Sequence, residues 1–287
     1  MTARDNLSTR VTDGDSTSLG VLSVHLDGRP CRVGCAFCYL GARQGGGADA
    51  PDLALLGELV ERLSYDELAV AVSEPVETVG PALAVLTRAA AARGRPVSVT
   101  TTMQIATAHP ALLEGVARIN LSVDPFKGVV SPARIDALAA ALKSERTLDV
   151  VLIVSLVTPQ FATRLIDDGL LEALVDLPHV DKVALNGLKP PPPWCDRAFW
   201  LSALARLRPL LRRALDQRLF LDCYVAARIL GLGGCPARAD LSPAPGGLAF
   251  RACVYQPAAE RLVTDARQLA GELRTFVAPA QCPFVVK

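Results

Sequence analysis

Three cysteines stand close together near the start of the chain and form the group best suited to chemistry. Cys31, Cys35 and Cys38 lie in the run Cys-Arg-Val-Gly-Cys-Ala-Phe-Cys. Thiolates are the ligands of iron–sulfur clusters, and a [4Fe–4S] cluster is ordinarily held by four of them. Three local thiolates would leave one iron open, and an open position is what a metal centre needs to bind a substrate.

A structural zinc site is the main alternative interpretation of the three cysteines. Zinc sites ordinarily need four ligands, commonly arranged as two well-separated pairs. The histidine nearest to the triplet is His25, on the predicted strand that precedes it. Three cysteines also cannot all pair with one another in disulfides. The spacing therefore favours an iron–sulfur cluster over zinc.

The CxxxCxxC spacing, with an aromatic residue directly before the third cysteine, resembles the radical S-adenosylmethionine (SAM) superfamily. The resemblance implies that Cys31, Cys35 and Cys38 bind a [4Fe–4S] cluster whose open iron is chelated by SAM. It also implies reductive cleavage of SAM to a 5′-deoxyadenosyl radical, which abstracts a hydrogen atom from a substrate. Phe37, the aromatic residue of the motif, is implied to lie beside the adenine of SAM.

Predicted strands and helices alternate along the chain. The strands are expected at residues 20–26, 68–72, 96–101, 119–123, 150–157, 180–185 and 219–224. The helices are expected at 52–62, 81–93, 110–117, 132–144, 161–175 and 198–215. Such alternation indicates βαβ units and a parallel sheet. Without a GxGxxG fingerprint, the repeats favour a barrel. The resemblance likewise implies an α/β fold, a partial (β/α)6 TIM-like barrel with a small C-terminal extension.

Polar residues at two other strand ends are candidates for binding SAM. Ser73 and Glu74 follow the second strand and resemble the Gly-Gly-Glu motif of the family, whose acidic residue holds the SAM ammonium. Ser122 and Asp124, at the end of the fourth strand, resemble a Ser-x-Asp run that contacts the SAM ribose or carboxylate. Two plainer roles remain open: Glu74 could open a helix, where the macrodipole favours it, and Asp124 could cap a turn, since Asp-Pro often starts one. Further candidates for this pocket are Thr101, Thr102 and Gln104.

Five more cysteines lie in the last third of the chain: Cys195, Cys223, Cys235, Cys253 and Cys282. Between Cys235 and Cys253, a Pro-Gly-Gly run separates two short apolar stretches and predicts a hairpin. This segment resembles the auxiliary-cluster extensions called SPASM and twitch domains, which implies a second [4Fe–4S] cluster on Cys223, Cys235, Cys253 and Cys282. Two other uses stay open: plain packing in the core, or hydrogen-atom donation by a reactive thiol, for which Cys195 and Cys223 are the candidates.

Composition limits the classes of protein to consider. The chain has 287 residues, of which 51% are hydrophobic, and a net charge of +1. We expect a lead-in over residues 1–19, a core barrel over 20–224 and an extension over 225–287. The absence of a Lys/Arg run disfavours a nucleic-acid partner. No apolar segment is long enough for a membrane span or a signal sequence, which predicts a cytoplasmic protein with no membrane partner.

These observations lead to one functional expectation and two alternatives. The expectation is a radical SAM enzyme that acts on a peptide or a small metabolite in a biosynthetic pathway. The resemblance implies an electron donor such as flavodoxin or ferredoxin as its partner. The alternatives are a non-catalytic metal-binding protein, either a zinc protein or an iron–sulfur sensor, and a radical SAM enzyme that modifies or repairs nucleic acid.

Overall fold

The computed structural model describes the central part of the chain and parts of its C-terminal third. The described residues are 19–26, 53–72, 76–187, 198, 202–203, 205–209, 218–221, 239–244, 246–251 and 261–275.

Within the described residues, a ten-stranded sheet forms the centre of the fold. Its strands are β1 (Leu19–Leu26), β2 (Tyr65–Val72), β3 (Val97–Thr102), β4 (Arg118–Val123), β5 (Asp149–Ser155), β6 (Lys182–Asn186), β7 (Leu219–Leu221), β8 (Ala239–Ala244), β9 (Gly247–Arg251) and β10 (Arg261–Val263). Their order is β10-β9-β8-β1-β2-β3-β4-β5-β6-β7. Strands β8 and β1 to β7 run parallel, whereas β9 is antiparallel to both of its neighbours.

Helices connect most of the parallel strands. They are α1 (Leu53–Arg62), α2 (Val76–Ala92), α3 (Met103–Ala108), α4 (Pro132–Glu145), α5 (Pro159–Ile166), α6 (Leu170–Val175) and α7 (Ala266–Thr275). Residues 205–209 are also helical, and short 3₁₀ turns cover Pro110–Leu113 and Pro125–Lys127. Within the described residues, no helix is both long enough and apolar enough to cross a membrane.

The two faces of the sheet have different compositions because side chains alternate along each strand. On one face, Leu22, Val70, Leu121 and Leu185 are almost fully buried in an apolar core that includes residues of the helices. The opposite face carries small and polar side chains, and we call it the polar face. From the pairing register, it includes Ser23, His25, Glu67, Ala69, Ala71, Ser98, Thr100, Arg118, Asn120, Ser122, Ile153, Ser155, Lys182, Ala184, Asn186, Phe220, Asp240 and Ser242.

The predicted fold class is confirmed. The sheet is parallel through eight strands, alternates with helices, and is not closed within the described residues, as in a partial barrel. Because these eight strands run parallel, their carboxyl ends lie at the same edge of the sheet, which we call the carboxyl edge. This edge is where barrels of this class hold their active sites.

Two of the predicted helices are not formed as expected, and a third, predicted at 81–93, begins earlier, at Val76. A helix at 110–117 was wrong, because the chain forms α3 earlier, where Thr102 accepts a hydrogen bond from the Ile105 amide, and only a 3₁₀ turn follows. The helix at 161–175 is interrupted at Gly169, whose φ of 70° places it in the left-handed region that glycine tolerates best. The chain therefore forms two short helices, α5 and α6, instead of one.

The predicted C-terminal hairpin is confirmed. Strands β8 and β9 pair on either side of Gly246, which has a φ of 78°. A Cβ on Gly247 would lie 2.5 Å from the carbonyl oxygen of Val263, so glycine there lets β10 approach β9 closely. Strand β8 pairs with β1. Residues of the expected C-terminal extension thus continue the same sheet as the core.

Candidate cofactor and substrate site at the carboxyl edge

The cysteine motif follows the first strand of the sheet. β1 ends at Leu26, and Cys31 comes shortly after it in the sequence. Parallel pairing from β1 to β6 brings the carboxyl ends of these strands to one edge. The chain therefore leaves β1 at the carboxyl edge before it enters the motif.

Most of the residues proposed from the sequence lie outside the described residues. They are the eight cysteines (Cys31, Cys35, Cys38, Cys195, Cys223, Cys235, Cys253 and Cys282) together with Phe37, Ser73 and Glu74. Their roles stay predictions. Within the described residues, no group of three His, Cys, Asp or Glu side chains is placed to hold a metal ion.

Three polar side chains near the carboxyl edge have no side-chain hydrogen bond within the part of the chain that the structure describes: Ser122, Ser155 and Asn186. They are half-buried and lie on the polar face of three adjacent strands. Ser155 is paired in register with Asn186. Ser122 is paired with Ile153, which lies two residues before Ser155 on β5. Because no other described side chain uses their polar atoms, these three are available to hydrogen-bond a ligand.

Polar side chains toward the amino ends of the strands are, by contrast, paired with one another. Nη1 of Arg118 lies 3.1 Å from both carboxylate oxygens of Glu67, and Ser98 donates a 2.6 Å hydrogen bond to the same carboxylate. Two residues further along β4, Asn120 donates a 3.2 Å hydrogen bond to the hydroxyl of Thr100. These side chains pair with one another and connect β2, β3 and β4 at this end.

Asp124 has the capping role that the sequence left open. Its buried carboxylate accepts a 3.0 Å hydrogen bond from the Phe126 amide and lies 2.9 Å from Nζ of Lys127. The expected alternation holds for Ser122 and Val123, since Val123 is buried in the apolar core and Ser122 lies on the polar face. A contact between Asp124 and SAM stays a prediction, and it would have to share this carboxylate with the turn.

The three further candidates after β3 have other roles in the structure. Thr101 lies on the helix-facing side of the sheet, next to Val99 and Ile105, where its hydroxyl has no hydrogen-bond partner among the described residues. Thr102 caps α3. The Gln104 side chain donates a short hydrogen bond to the carbonyl of Lys127 and so connects the chain after β3 to the turn after β4.

A buried pair on the polar face was missed by sequence reasoning. Nε2 of His25 lies 2.7 Å from Oδ1 of Asp240, and the two side chains are only 10% and 3% exposed. His25 lies on β1, six residues before Cys31, whereas Asp240 comes from β8. No local signal could have found this pair, because only the pairing of β8 with β1 brings the two strands together.

A second contact on the polar face also has no local signal. Nζ of Lys182 lies 4.9 Å from the centre of the Phe220 ring, a distance at which an ammonium and an aromatic face attract each other. Lys182 is half-buried on β6 and Phe220 is 39% exposed on β7. The pair therefore presents a positive charge and an apolar surface together on the polar face.

Comparisons with known proteins give only distant similarities of structure. No protein-family model and no curated protein matches this chain. One similar solved structure is the tryptophan synthase α-subunit of Pyrococcus furiosus, with 16% identity over 71% of this chain and 78% of that one, and a TM-score of 0.39. Another is a dipeptide epimerase from Methylococcus capsulatus, with 15% identity over 71% of this chain and 57% of that one, and a TM-score of 0.30. At these values the activities of those enzymes do not transfer to this chain.

Proposed function

We propose that this protein is a radical SAM enzyme that reductively cleaves SAM at a [4Fe–4S] cluster and abstracts a hydrogen atom from a peptide or a small metabolite. The observation that carries the proposal is the CxxxCxxC motif, Cys31 to Cys38, which follows the first strand of a parallel sheet. At the same carboxyl edge, strands β4, β5 and β6 present polar side chains that have no hydrogen-bond partner in the described part of the chain.

The donor set fits the cofactors. Three thiols can bind three irons of a [4Fe–4S] cluster and leave the fourth iron for SAM. When bound, the cluster supplies an electron and SAM supplies a carbon radical. Hydroxyl and amide groups such as those of Ser122, Ser155 and Asn186 suit the hydroxyl and carboxylate groups of SAM or a substrate.

The chain's own residues would bind and orient SAM and would shield the radical. Phe37 would pack on the adenine, Ser73 and Glu74 would hold the ammonium of SAM, and Ser122 would hydrogen-bond the ribose or carboxylate. A carboxylate such as that of Glu74 is a strong partner for an ammonium because both groups are charged. Closure of the site around the radical would exclude water and other reactants.

The C-terminal cysteines could serve the same enzyme in two ways. The hairpin of β8 and β9 supports the predicted turn between Cys235 and Cys253. These two cysteines, together with Cys223 and Cys282, would bind a second cluster. Alternatively, the thiol of Cys195 or Cys223 would donate a hydrogen atom to the product radical. An electron donor such as flavodoxin or ferredoxin would reduce the catalytic cluster.

The proposal is tested by reductive cleavage of SAM. The full chain is reconstituted anaerobically with iron and sulfide, and 5′-deoxyadenosine is measured by mass spectrometry after addition of SAM and dithionite. We expect the nucleoside from the wild type and from a control, Ser144→Ala, which changes an exposed residue of α4. We expect none from Cys35→Ala, because two thiolates should not retain the cluster. Iron without cleavage in the wild type would favour a sensor, and zinc in place of iron would favour a zinc protein.

A further inference from the structure

We propose that Lys182 and Phe220 form the part of the polar face that recognises the substrate, and that they select a carboxylate joined to an apolar group. This inference rests on the proposed function for the existence of a substrate at the polar face. It names the chemical class of that substrate. The contact that carries it is the 4.9 Å approach of Nζ of Lys182 to the centre of the Phe220 ring.

The charge of Lys182 has no counter-ion within the described residues. No carboxylate there lies within 4.0 Å of its ammonium. Arg118, another cation of the same face, is already paired with Glu67 at 3.1 Å and lies 3.9 Å from Asp149. Lys182 is half-buried, and burial of a charge is unfavourable without a counter-charge, so an anionic ligand would complete this site.

The described neighbours of Lys182 on the polar face are small or polar. Ala184, the next residue of β6 on the polar face, has a small, half-buried side chain and is paired in register with Phe220. Asn186, further toward the carboxyl edge, and its partner Ser155 have side chains free of hydrogen bonds in the described part of the chain. Strand geometry places Lys182 and Asn186 about 13 Å apart along β6. The stretch between them thus offers a charge at one end and hydrogen-bonding groups at the other.

The chemistry favours a carboxylate over a phosphate. A lone lysine supplies one compact positive charge, which matches a singly charged carboxylate. Phosphate sites commonly add an arginine fork or several backbone amides. The Phe220 ring, which is 39% exposed, provides apolar contact for the group that bears the carboxylate.

The test uses phenylacetate as the probe, with phenylacetamide as its uncharged counterpart and phenyl phosphate as the competing anion. Dissociation constants are measured on the full chain by ligand-observed NMR titration. The variants are Lys182→Met, Lys182→Arg and Phe220→Ala, and the control is Arg164→Met, which removes a positive charge from an exposed position of α5. Thermal unfolding confirms that each variant is folded.

We expect the wild type and Arg164→Met to prefer phenylacetate to both other compounds. Lys182→Met should weaken phenylacetate binding roughly tenfold and leave phenylacetamide unaffected, because a hydrogen bond to a charged group is lost. Lys182→Arg should restore most of the affinity, and Phe220→Ala should weaken the binding of phenylacetate and of phenylacetamide. No preference for phenylacetate, a preference for phenyl phosphate, or an unchanged affinity in Lys182→Met would overturn the inference.

A parallel titration with SAM separates this inference from the proposed function. If Lys182→Met weakens SAM binding instead of phenylacetate binding, the ammonium serves the cofactor and the substrate assignment is wrong. If phenylacetate binding depends on Lys182 but the reconstituted protein does not cleave SAM, the carboxylate site stands and the radical function falls. If the reconstituted protein cleaves SAM but Lys182→Met leaves phenylacetate binding unchanged, the radical function stands and the carboxylate site falls.

Discussion

Nε2 of His25 lies 2.7 Å from Oδ1 of Asp240, and this buried contact links the first strand of the sheet to a strand near the C-terminus. The strands concerned, β1 and β8, run parallel. β1 is also the strand that leads into the cysteine motif. The contact therefore joins the C-terminal hairpin to the strand that precedes the cysteine motif in the sequence.

The first prediction concerns the stability supplied by this contact. Asp240→Asn should lower the free energy of unfolding by about 2 kcal/mol, because it removes the carboxylate that contacts the buried His25 ring. Denaturant unfolding measures the change, and Asp168→Asn, at an exposed position of the chain after α5, is the control. In a double-mutant cycle, His25→Gln and Asp240→Asn should be strongly coupled. Additive effects would show that the two side chains do not act as a pair.

The second prediction concerns the number of clusters. After anaerobic reconstitution, replacing Cys31, Cys35 and Cys38 together by alanine should remove about four irons per chain, the content of one [4Fe–4S] cluster. Iron and sulfide are assayed chemically in the wild type and the variant. Iron that remains in the variant would be held by the C-terminal cysteines and would support the auxiliary cluster. An iron content equal to that of the wild type would contradict the assignment of the motif.

The third prediction concerns SAM binding. Glu74→Ala should weaken SAM binding by tenfold or more, since it removes a charged partner of the ammonium. Ser122→Ala should weaken it about threefold to tenfold, the effect of one neutral hydrogen bond. Equilibrium dialysis of the reconstituted protein gives the affinities, with Ser144→Ala as the control. An affinity equal to that of the wild type would remove the altered residue from the SAM site.

The fourth prediction concerns acid stability. Burial alone would raise the pKa of Asp181, but hydrogen bonds from Lys143 at 2.7 Å and from the Val150 amide at 2.7 Å, with the charges of Lys143 and Arg218, lower it below 3.8 overall. A carboxyl whose pKa is lower in the folded state stabilises the protein above its unfolded pKa. This stabilisation is lost as the pH falls through the folded value.

The stabilisation from Asp181 should therefore be constant from pH 7 to about pH 5. Asp181→Asn should be less stable than the wild type over that range, and the difference should shrink as the pH falls below 3.8. Denaturant unfolding at pH 7, 5 and 3 measures it, with Asp168→Asn as the control. A difference that grows as the pH is lowered would contradict the assignment.

Features with local signals were predictable from the sequence alone. The cysteine spacing lies within eight residues of chain and needs no knowledge of the fold. The alternation of strands and helices predicted the α/β class, and Pro-Gly-Gly predicted the hairpin of β8 and β9. The alternation of Ser122 and Val123 was also predictable, because successive residues of a strand point to opposite faces.

Only the tertiary structure decided which distant residues meet. The pairing of β8 with β1 brought Asp240 to His25, and the pairing of β6 with β7 brought Phe220 to Lys182. The same strand that carries Thr100 on the polar face turns Thr101 toward the helices. Parallel strands pair across long connections, so their order and register depend on how the whole apolar face is buried. No short segment of sequence contains that information.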